Sequence, residues 1–382
     1  MTLTNRRSLI KEFFKRADIL LLIVCVISSV FGIIAISSAT ASIGSGKYII
    51  VQTFSLFLGL VAFFIFTIID PDVIAKQWLP LSILSAILIL GLIPFGHDDG
   101  TGNRAWYRFL GIGVQPTEVV KVVFIVLLAK QISNYKEQKV LNKPKSVVLL
   151  AAHWAALFVI IMVASKDMGS AVIFLAIFIV MLIAGGLAWY WIGIGAAAAA
   201  AATPILWNNV LQEYQRNRIL VPYDPTIDPT GEGIRWQANR TIQAMEAGRW
   251  DGVGYGNGSL NIDARHTDCI FASIGEEMGM IACLVVIALL MFIIIRCCVI
   301  GTRCGSNFGM LICYGVAAAI AFQTFINIGM CMGITPVIGI TLPFFSYGGS
   351  SIVTLFAAVG LVSGVKFRPK PKRHNINIIE VD

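Results

Sequence analysis

Long runs of apolar residues alternate with short polar segments along most of the chain, and this pattern predicts membrane-spanning helices. Each run approaches the roughly 20 residues that an α-helix needs to cross a bilayer. The first run begins at Asp18 and continues for about 22 residues. Nine more follow, near 48–69, 73–95, 117–133, 147–165, 168–185, 187–206, 270–295, 308–331 and 343–365. We therefore predict an all-α, polytopic membrane protein with ten transmembrane helices in a single membrane domain over 1–382.

The basic residues predict how these helices are oriented, because cytoplasmic loops are enriched in Lys and Arg. With a cytoplasmic amino terminus, 18 of the 29 Lys and Arg lie on the cytoplasmic side and 11 outside. Six of those 11 belong to one long loop, for which the rule is weak. An even number of helices puts both termini in the cytoplasm, where 366–382 forms a basic tail.

The segment 206–268, between the seventh and eighth helices, is predicted to be a large extracellular loop. It carries six Arg and eight acidic residues, a higher charge density than the rest of the chain. Its stretch 223–233 is rich in Pro and Gly and cannot cross lipid, since its backbone groups would stay unpaired. Within the loop, 235–247 has the pattern of a short interfacial amphipathic helix.

The composition supports the membrane interpretation and excludes an ordinary soluble enzyme. Hydrophobic residues make up 57% of the chain and charged residues 13%, whereas soluble domains have about 45–50% and about 25%. A net charge of +8 would suggest nucleic acid in a soluble protein. Here it serves as an orientation and anionic-lipid signal, so we expect no nucleic-acid partner. The eight Cys lie in or next to apolar segments, and no disulfide is predicted.

Ionisable residues at membrane depth are candidates for function because they are costly there. Glu118 and Lys121, at the start of the fourth helix, form either an i,i+3 ion pair or a carboxylate and a cation at a cavity rim. Asp167 is either a helix cap or a functional acid. Glu276 and Glu277 are adjacent and point about 100° apart, so at most one is expected to face a given partner.

The most informative local group is His266-Thr267-Asp268, where the polar loop meets the eighth helix. A carboxylate at this boundary is partly desolvated, which raises its pKa as a general base requires. The alternative is that Asp268 caps the helix, a role that Asp performs well. One Asp and one His do not by themselves define a reaction.

The segment 333–351 concentrates Gly, Pro and Ser just before and within the last apolar run. Irregular backbone at this depth is tolerated only where it lines a cavity or is buried in protein. The amides of 348–351 are then positioned to face a phosphate at a helix amino terminus. The alternative is close helix packing through small residues.

These segments carry a long motif. Asn327 is followed by Gly333-x-x-Pro336-x-x-Gly339 and by Leu342-Pro-Phe-Phe-Ser-Tyr-Gly-Gly-Ser-Ser351, which closely resembles the signature of the SEDS family, the shape, elongation, division and sporulation proteins FtsW, RodA and SpoVE. Further similar motifs are Gly102-Asn-Arg-Ala-Trp106, Gln115-Pro-Thr-Glu-x-x-Lys121, Asp167-Met-Gly-Ser170, His266-Thr-Asp-Cys-Ile-Phe and Gly275-Glu-Glu-Met-Gly279. The Asp224-Pro to Asp228-Pro loop looks closer to the FtsW and SpoVE branch.

The resemblance implies a peptidoglycan glycosyltransferase of the bacterial cytoplasmic membrane that polymerises lipid II. It also implies a class B penicillin-binding protein as partner, with other divisome or elongasome membrane proteins. By resemblance the catalytic acidic residue is Asp268. A lipid II flippase and a non-catalytic scaffold for a penicillin-binding protein remain alternatives, and whether division, elongation or sporulation is served stays open.

The chemistry of this reaction assigns roles to the candidate residues. Asp268 would take a proton from the acceptor sugar hydroxyl, and Lys121, Arg104 and Arg240 would stabilise the leaving diphosphate. A divalent cation, Mg or Mn, would share that task, although no ligands for it are identified. The predicted substrate-binding residues are Lys121, Glu118, Arg104, Trp106, Asp167, Gln237, Arg240, His266, Thr267, Glu277, Ser346, Gly348, Gly349 and Ser350.

The chain departs from the family pattern in its large loop. It has Asp263-Ala264-Arg265 where the family usually has Pro-Glu-Ala, and Gly248-Arg249 in place of Gly-Gly. It also has Gly252-Val253-Gly254 for Gly-Lys-Gly and Arg240-Thr241 for Gln-Ser. These substitutions place charge where the family has little, so we expect local differences in loop conformation or substrate contacts.

Overall fold

The structure is a computed structural model that describes residues 13–97, 103–109, 112–209, 212–259 and 262–368. Three basic residues of the predicted amino-terminal tail, Arg6, Arg7 and Lys11, lie outside the described residues. Most of the predicted basic tail, 369–382, lies outside them as well.

The described residues are mostly helical, as predicted. The helices are α1 (Ile19–Ala39), α2 (Gly46–Ile68), α3 (Pro71–Lys76), α4 (Trp78–Leu90), α5 (Leu92–Phe95), α6 (Pro116–Glu137), α7 (Pro144–Ala164), α8 (Met168–Gly185), α9 (Trp189–Asn209), α10 (Glu213–Leu220), α11 (Trp236–Gly248), α12 (Ile270–Arg303), α13 (Asn307–Cys331) and α14 (Gly349–Phe367). Short 3₁₀ turns span Ala41–Ile43 and Pro225–Ile227. A small antiparallel hairpin joins β1 (Tyr107–Phe109) to β2 (Ile112–Val114).

Nine spans within the described residues are long and apolar enough to cross a membrane: α1, α2, α4 with α5, α7, α8, α9, α12, α13 and α14. The remaining predicted span, 117–133, corresponds to α6. This helix has 22 residues, but it carries charged side chains that lower its hydropathy and it is largely buried among other helices. The multi-pass membrane fold is therefore confirmed, and the count of ten stays a prediction.

The bundle core depends on close contact between α14 and α2. At Gly360 an added Cβ would lie 2.8 Å from the backbone oxygen of Phe63. The Thr67 hydroxyl donates a hydrogen bond of 3.2 Å to the Gly360 carbonyl. The small residue thus lets the two backbones approach closely, as is common between membrane helices.

The predicted last helix, 343–365, begins later than expected, at Gly349. The chain between Cys331 and Gly349 has no helix or strand, and its part from Ile340 to Ser346 is buried. Since irregular backbone here is enclosed by protein, the expectation for this segment is confirmed.

The helix α12 is kinked at Gly279, which has φ 79° and ψ 178°. The loop after α11 fills the gap with backbone hydrogen bonds. The Met280 amide donates to the Arg249 carbonyl (2.8 Å), and the Val253 and Gly254 amides donate to the Glu276 and Glu277 carbonyls (2.9 and 3.0 Å). The kink therefore leaves these helix groups paired, as a break at membrane depth requires.

A helix within the large loop is confirmed, at Trp236–Gly248. Its small residues Thr241, Ala244 and Gly248 are buried, and the helix packs against α12. Gly248 lies directly on the backbone of Gly275. The large loop is thus attached to the membrane helix that follows Asp268.

Candidate active site

A cavity of about 740 Å³ lies where the large loop meets the ends of the membrane helices. Its wall includes residues 263, 264 and 266–268, residues 337–339 and 341, and residues 347–349. Seven of the predicted site residues line it: Trp106, Gln237, His266, Thr267, Asp268, Gly348 and Gly349.

The carboxylate of Asp268 lines this cavity and accepts no hydrogen bond from the described residues. The cap of α12 is Cys269, and no side-chain hydrogen bond is made there. Among the described residues nothing donates a hydrogen bond to the Asp268 carboxylate, so the hypothesis that this residue caps the helix is wrong. Its Oδ2 lies against Gly339, where an added Cβ would be 3.4 Å away.

The surroundings of Asp268 change its acidity. Burial, together with the nearby negative charge of Asp167, raises the pKa of Asp268 to about 6. A carboxylate with this pKa is still ionised at neutral pH, and it is a stronger base than an ordinary Asp. The sequence expectation of a raised pKa is consistent with this geometry.

The backbone around Asp268 is held by side chains of the long motif. The Asn327 Nδ2 donates to the Asp268 carbonyl (2.8 Å) and to the Ile340 carbonyl (2.6 Å). The Ser346 hydroxyl donates to the Thr267 carbonyl at 2.7 Å. Ser346 therefore positions the site through the backbone, and it does not line the cavity.

Gln52 on α2 is a supporting residue that sequence reasoning missed. Its Nε2 donates to the Ser346 carbonyl (3.0 Å), and its Oε1 accepts the Gly348 amide (3.1 Å). It is 1% exposed. A lone amide side chain within an apolar run was the available signal.

His266 lies between two aromatic rings at the cavity wall. Its ring centroid is 4.8 Å from that of Tyr48 and 5.6 Å from that of Tyr347. Burial lowers the pKa of His266, so the neutral imidazole predominates at neutral pH.

Four cations line the cavity: Lys47, Arg108, Lys166 and Arg218. Within the described part of the chain, the side chains of Lys47, Lys166 and Arg218 have no hydrogen-bond or ion-pair partner. Sequence reasoning missed all four because they belong to a strand, a loop and two helices that are distant in sequence and that only the fold brings together.

Comparisons with known proteins place this site in a family. The model of the cell cycle proteins FtsW, RodA and SpoVE matches residues 16–370. The chain belongs to this family. The SEDS resemblance of its motifs is therefore confirmed.

The relatives carry both branch names. The chain is 31% identical to the peptidoglycan glycosyltransferase MrdB of Escherichia coli strain K12, over 81% of this chain and 82% of the relative. It is 28% identical to a probable peptidoglycan glycosyltransferase FtsW of Geobacter sp. strain M18, over 92% and 97%. The lean towards the FtsW and SpoVE branch thus stays a prediction.

A solved structure supports the fold. The chain superimposes on a component of a peptidoglycan synthase complex with a TM-score of 0.78, covering 92% of this chain and 97% of that one. The two sequences are 26% identical. The family fold therefore extends over nearly the whole chain.

Two family-motif residues, Glu118 and Lys121, lie away from the cavity lining. The Lys121 Nζ is 2.7 Å from Glu118 Oε1, and each residue is 5% exposed. The ion-pair hypothesis is therefore confirmed, and the predicted contact of these two residues with substrate is not supported by the lining.

Asp167 caps α8, as the alternative hypothesis stated. Its Oδ1 accepts the Ser170 amide (2.9 Å), and its Oδ2 accepts the Ser170 hydroxyl (2.6 Å) and the Gln115 side-chain amide (3.1 Å). The Gln115 backbone amide in turn donates to the Ser350 hydroxyl (3.1 Å). Asp167 and Ser350 therefore support the site from behind its lining.

The expectation that at most one of Glu276 and Glu277 faces a given partner is wrong. The Arg265 Nη2 lies 2.5 Å from Glu276 Oε2 and 2.8 Å from Glu277 Oε1. The Arg265 guanidinium lies outside the helix and contacts both carboxylates, although the two side chains leave the helix in different directions. Glu277 is buried in this network and does not line the cavity.

Arg104 and Arg240, predicted to contact the diphosphate, also lie outside the lining. The Arg240 guanidinium lies over the Trp236 ring at 5.7 Å and donates to Gln243 at 3.4 Å. It extends along α11 because that ring offers a favourable cation–π contact. The cations that do reach the cavity are Lys47, Arg108, Lys166 and Arg218.

Two of the family departures occupy the left-handed backbone region, Arg249 with φ 47° and Ala264 with φ 52°. Both lie in turns that attach the large loop to α12. The expectation of local differences in the loop stays a prediction, and these two positions are where we expect them. Within the described residues no group of three or more His, Cys, Asp or Glu is arranged to hold a metal ion.

The Glu118–Lys121 pair yields a stability prediction. Lys121→Met should lower the free energy of unfolding by about 3–5 kcal/mol, because it leaves a buried carboxylate without its cation. The double variant Glu118→Gln/Lys121→Met should recover most of that loss. Unfolding in detergent measures both, with Lys145→Met at the exposed start of α7 as the control. A stable Lys121→Met protein that no longer binds lipid II would instead favour the substrate role.

Proposed function

We propose that this protein is a peptidoglycan glycosyltransferase that polymerises lipid II, with Asp268 as the general base. The observation that carries the proposal is a carboxylate with a pKa of about 6 and no hydrogen-bond donor among the described residues, in a cavity lined by cations. Family membership supports the reaction class.

In the proposed step, Asp268 takes the proton of the acceptor sugar hydroxyl. The oxygen of that hydroxyl forms the new bond to the anomeric carbon of the donor, and the bond from that carbon to the diphosphate breaks. The carboxylate must be ionised to accept the proton, and its desolvation strengthens it as a base. The electron pair of the broken bond leaves with undecaprenyl diphosphate.

The leaving diphosphate needs positive charge, and the cavity supplies it. Lys47, Lys166 and Arg218 carry no neutralising partner within the described residues, and Arg108 lies on the same wall. Preorganised cations of this kind stabilise charge that develops in a transition state. They take the roles that the sequence assigned to Lys121, Arg104 and Arg240.

A divalent cation, Mg or Mn, would enter this cavity together with the substrate diphosphate. Mg²⁺ is usually held by one or two carboxylates together with substrate phosphates and water. Among the described residues no cluster of carboxylates is arranged to hold such a cation, so the substrate diphosphate and water would supply most of its ligands. The cation would neutralise part of the diphosphate charge. The side chains then keep their roles in binding the substrate and moving the proton.

A class B penicillin-binding protein is the proposed partner. A structural relative of this chain is a component of a peptidoglycan synthase complex studied for the coordination of polymerisation and crosslinking. Polymerisation by this chain would supply the strands that such a partner crosslinks.

The role of Asp268 is tested by substitution. Asp268→Asn should abolish glycan strand formation from lipid II by purified protein with its partner, since the amide cannot accept the proton. Asp263→Asn is the matched control, because Asp263 lines the same cavity and has no assigned role. Full activity of Asp268→Asn would exclude it as the base. Transport of lipid II in liposomes without any polymer would favour the flippase.

The pH dependence follows from the state of Asp268. Because the base works when ionised, kcat/KM should fall about tenfold per pH unit below a pH of about 6. Asp167→Asn keeps the helix cap, since Asn caps as well as Asp, but removes the neighbouring negative charge. Its acidic limb should therefore move to lower pH. An unmoved limb would show that another group titrates.

The assignment of the cations is tested by comparing two arginines. Arg218→Met should raise the KM for lipid II by about tenfold or more, as expected for a lost charge-assisted contact of about 1.5–3 kcal/mol. Arg240→Met, outside the lining, should leave KM unchanged. The reverse result would restore the expectation drawn from sequence.

A further inference from the structure

We propose that Arg265 is a positioning residue that fixes the turn carrying Asp268 and so sets the rate of lipid II polymerisation without touching substrate. The inference rests on the proposed function. Arg265 lies three residues before Asp268, and its side chain is 12% exposed. It is not among the residues that line the cavity, whereas Ala264, its neighbour, is.

The guanidinium of Arg265 joins two buried carboxylates. The side chains of Glu276 and Glu277 are 1% and 3% exposed, and both approach the same Nη2 atom. Two adjacent buried carboxylates repel each other unless a cation lies between them. Arg265 supplies that cation, so its position relative to α12 is strongly determined.

The same network reaches two other segments of the chain. Glu277 accepts a hydrogen bond from Ser38, near the end of α1. Glu276 accepts the Ser259 amide at 3.0 Å. Gly258 leaves the space through which the guanidinium passes, since an added Cβ there would overlap Arg265. Arg265 therefore connects α1, the end of the large loop and α12.

The turn that carries Asp268 begins at Ala264. Its φ of 52° is in the left-handed region, which is disfavoured for a residue with a Cβ. Its carbonyl accepts the amides of Thr267 (3.0 Å) and Cys269 (3.1 Å). These two bonds close the turn, and the Asp268 carboxylate lies in the cavity wall without a cap hydrogen bond to α12.

Arg265 thus acts on Asp268 through backbone geometry. The charged groups near the Asp268 carboxylate or on the same cavity wall are Asp167 at the start of α8, Asp263 and the cations Lys47, Arg108, Lys166 and Arg218, and the titratable His266 lies on that wall as well. The positive charge of Arg265 is already neutralised by its two glutamates. Loss of Arg265 should therefore relax the disfavoured turn, and Asp268 would move out of its desolvated position.

Four variants of the full-length protein with its partner test this inference: Arg265→Gln, Arg265→Lys, Ala264→Gly and Ala264→Gly/Arg265→Gln. Arg265→Gln should lower kcat by about 100-fold, as expected for a misplacement near 1 Å, with KM changed less than twofold. Its acidic limb should move below pH 6 as Asp268 becomes hydrated. Arg265→Lys keeps the positive charge, so its kcat should fall less than that of Arg265→Gln.

The double variant separates positioning from simple destabilisation. Because glycine adopts the left-handed conformation without strain, Ala264→Gly should restore part of the kcat lost in Arg265→Gln. Arg303→Gln, at the carboxyl end of α12, is the control and should match the wild type. Thermal unfolding in detergent records the folded fraction of each variant.

The inference is overturned if Arg265→Gln is folded and keeps the wild-type kcat and acidic limb. It is also overturned if kcat falls only in proportion to the folded fraction, with the limb unmoved and no rescue. Where Arg265→Gln does not fold, Arg265→Lys decides by the same two readouts. Absence of polymerisation by the wild type would refute the proposed function itself, which is a different result.

Discussion

The side-chain amide of Asn327 makes the interaction on which the rest of the site depends. It donates to the carbonyls of Asp268 and Ile340, and so joins two irregular segments at 2.8 and 2.6 Å. Carbonyl groups at this depth have no water to pair with, and each unpaired one costs about 1–3 kcal/mol. Ser346 and Gln52 meet the same need for the adjacent carbonyls of Thr267 and Ser346. The cavity wall therefore exists because polar side chains replace a helix in satisfying its backbone.

This arrangement determines the chemistry of Asp268. Since its backbone is held by other residues, its carboxylate need not contribute to the fold. Burial then raises its pKa to about 6, between the ordinary value of a carboxyl and neutral pH. A higher pKa would leave the group protonated at neutral pH, and a lower one would make it a weak base. Because Asp268 is buried but borders the cavity, its pKa is intermediate.

Local features of the site were predictable from sequence, and convergent features were not. The Glu118–Lys121 pair and the Asp167 cap follow from spacings of three residues, which a helix places together regardless of the fold. The motif containing Asp268 was also found because it is contiguous. The kink at Gly279 was missed, since the apolar pattern of α12 continues through it. The bridge from Arg265 to Glu276 crosses the turn that begins at Ala264, whose left-handed conformation is not predicted by residue type. The cavity cations come from distant segments, and no periodicity relates them.

The distribution of charge distinguishes the bundle from the cavity. In the bundle, charges are paired: Glu118 with Lys121, Asp18 with Arg296 and Lys366 at 2.7 and 3.0 Å, and the two glutamates with Arg265. In the cavity, the side chains of Asp268 and of three of the cations have no hydrogen-bond or ion-pair partner within the described residues. Pairing every charge would serve stability alone, since an unpaired charge is tolerated only where water or a ligand reaches it. The four cations of the cavity outnumber its two carboxylates, Asp263 and Asp268. This excess is best explained by a substrate that brings negative charge and a proton to be removed, as a diphosphate-linked sugar with a free hydroxyl does.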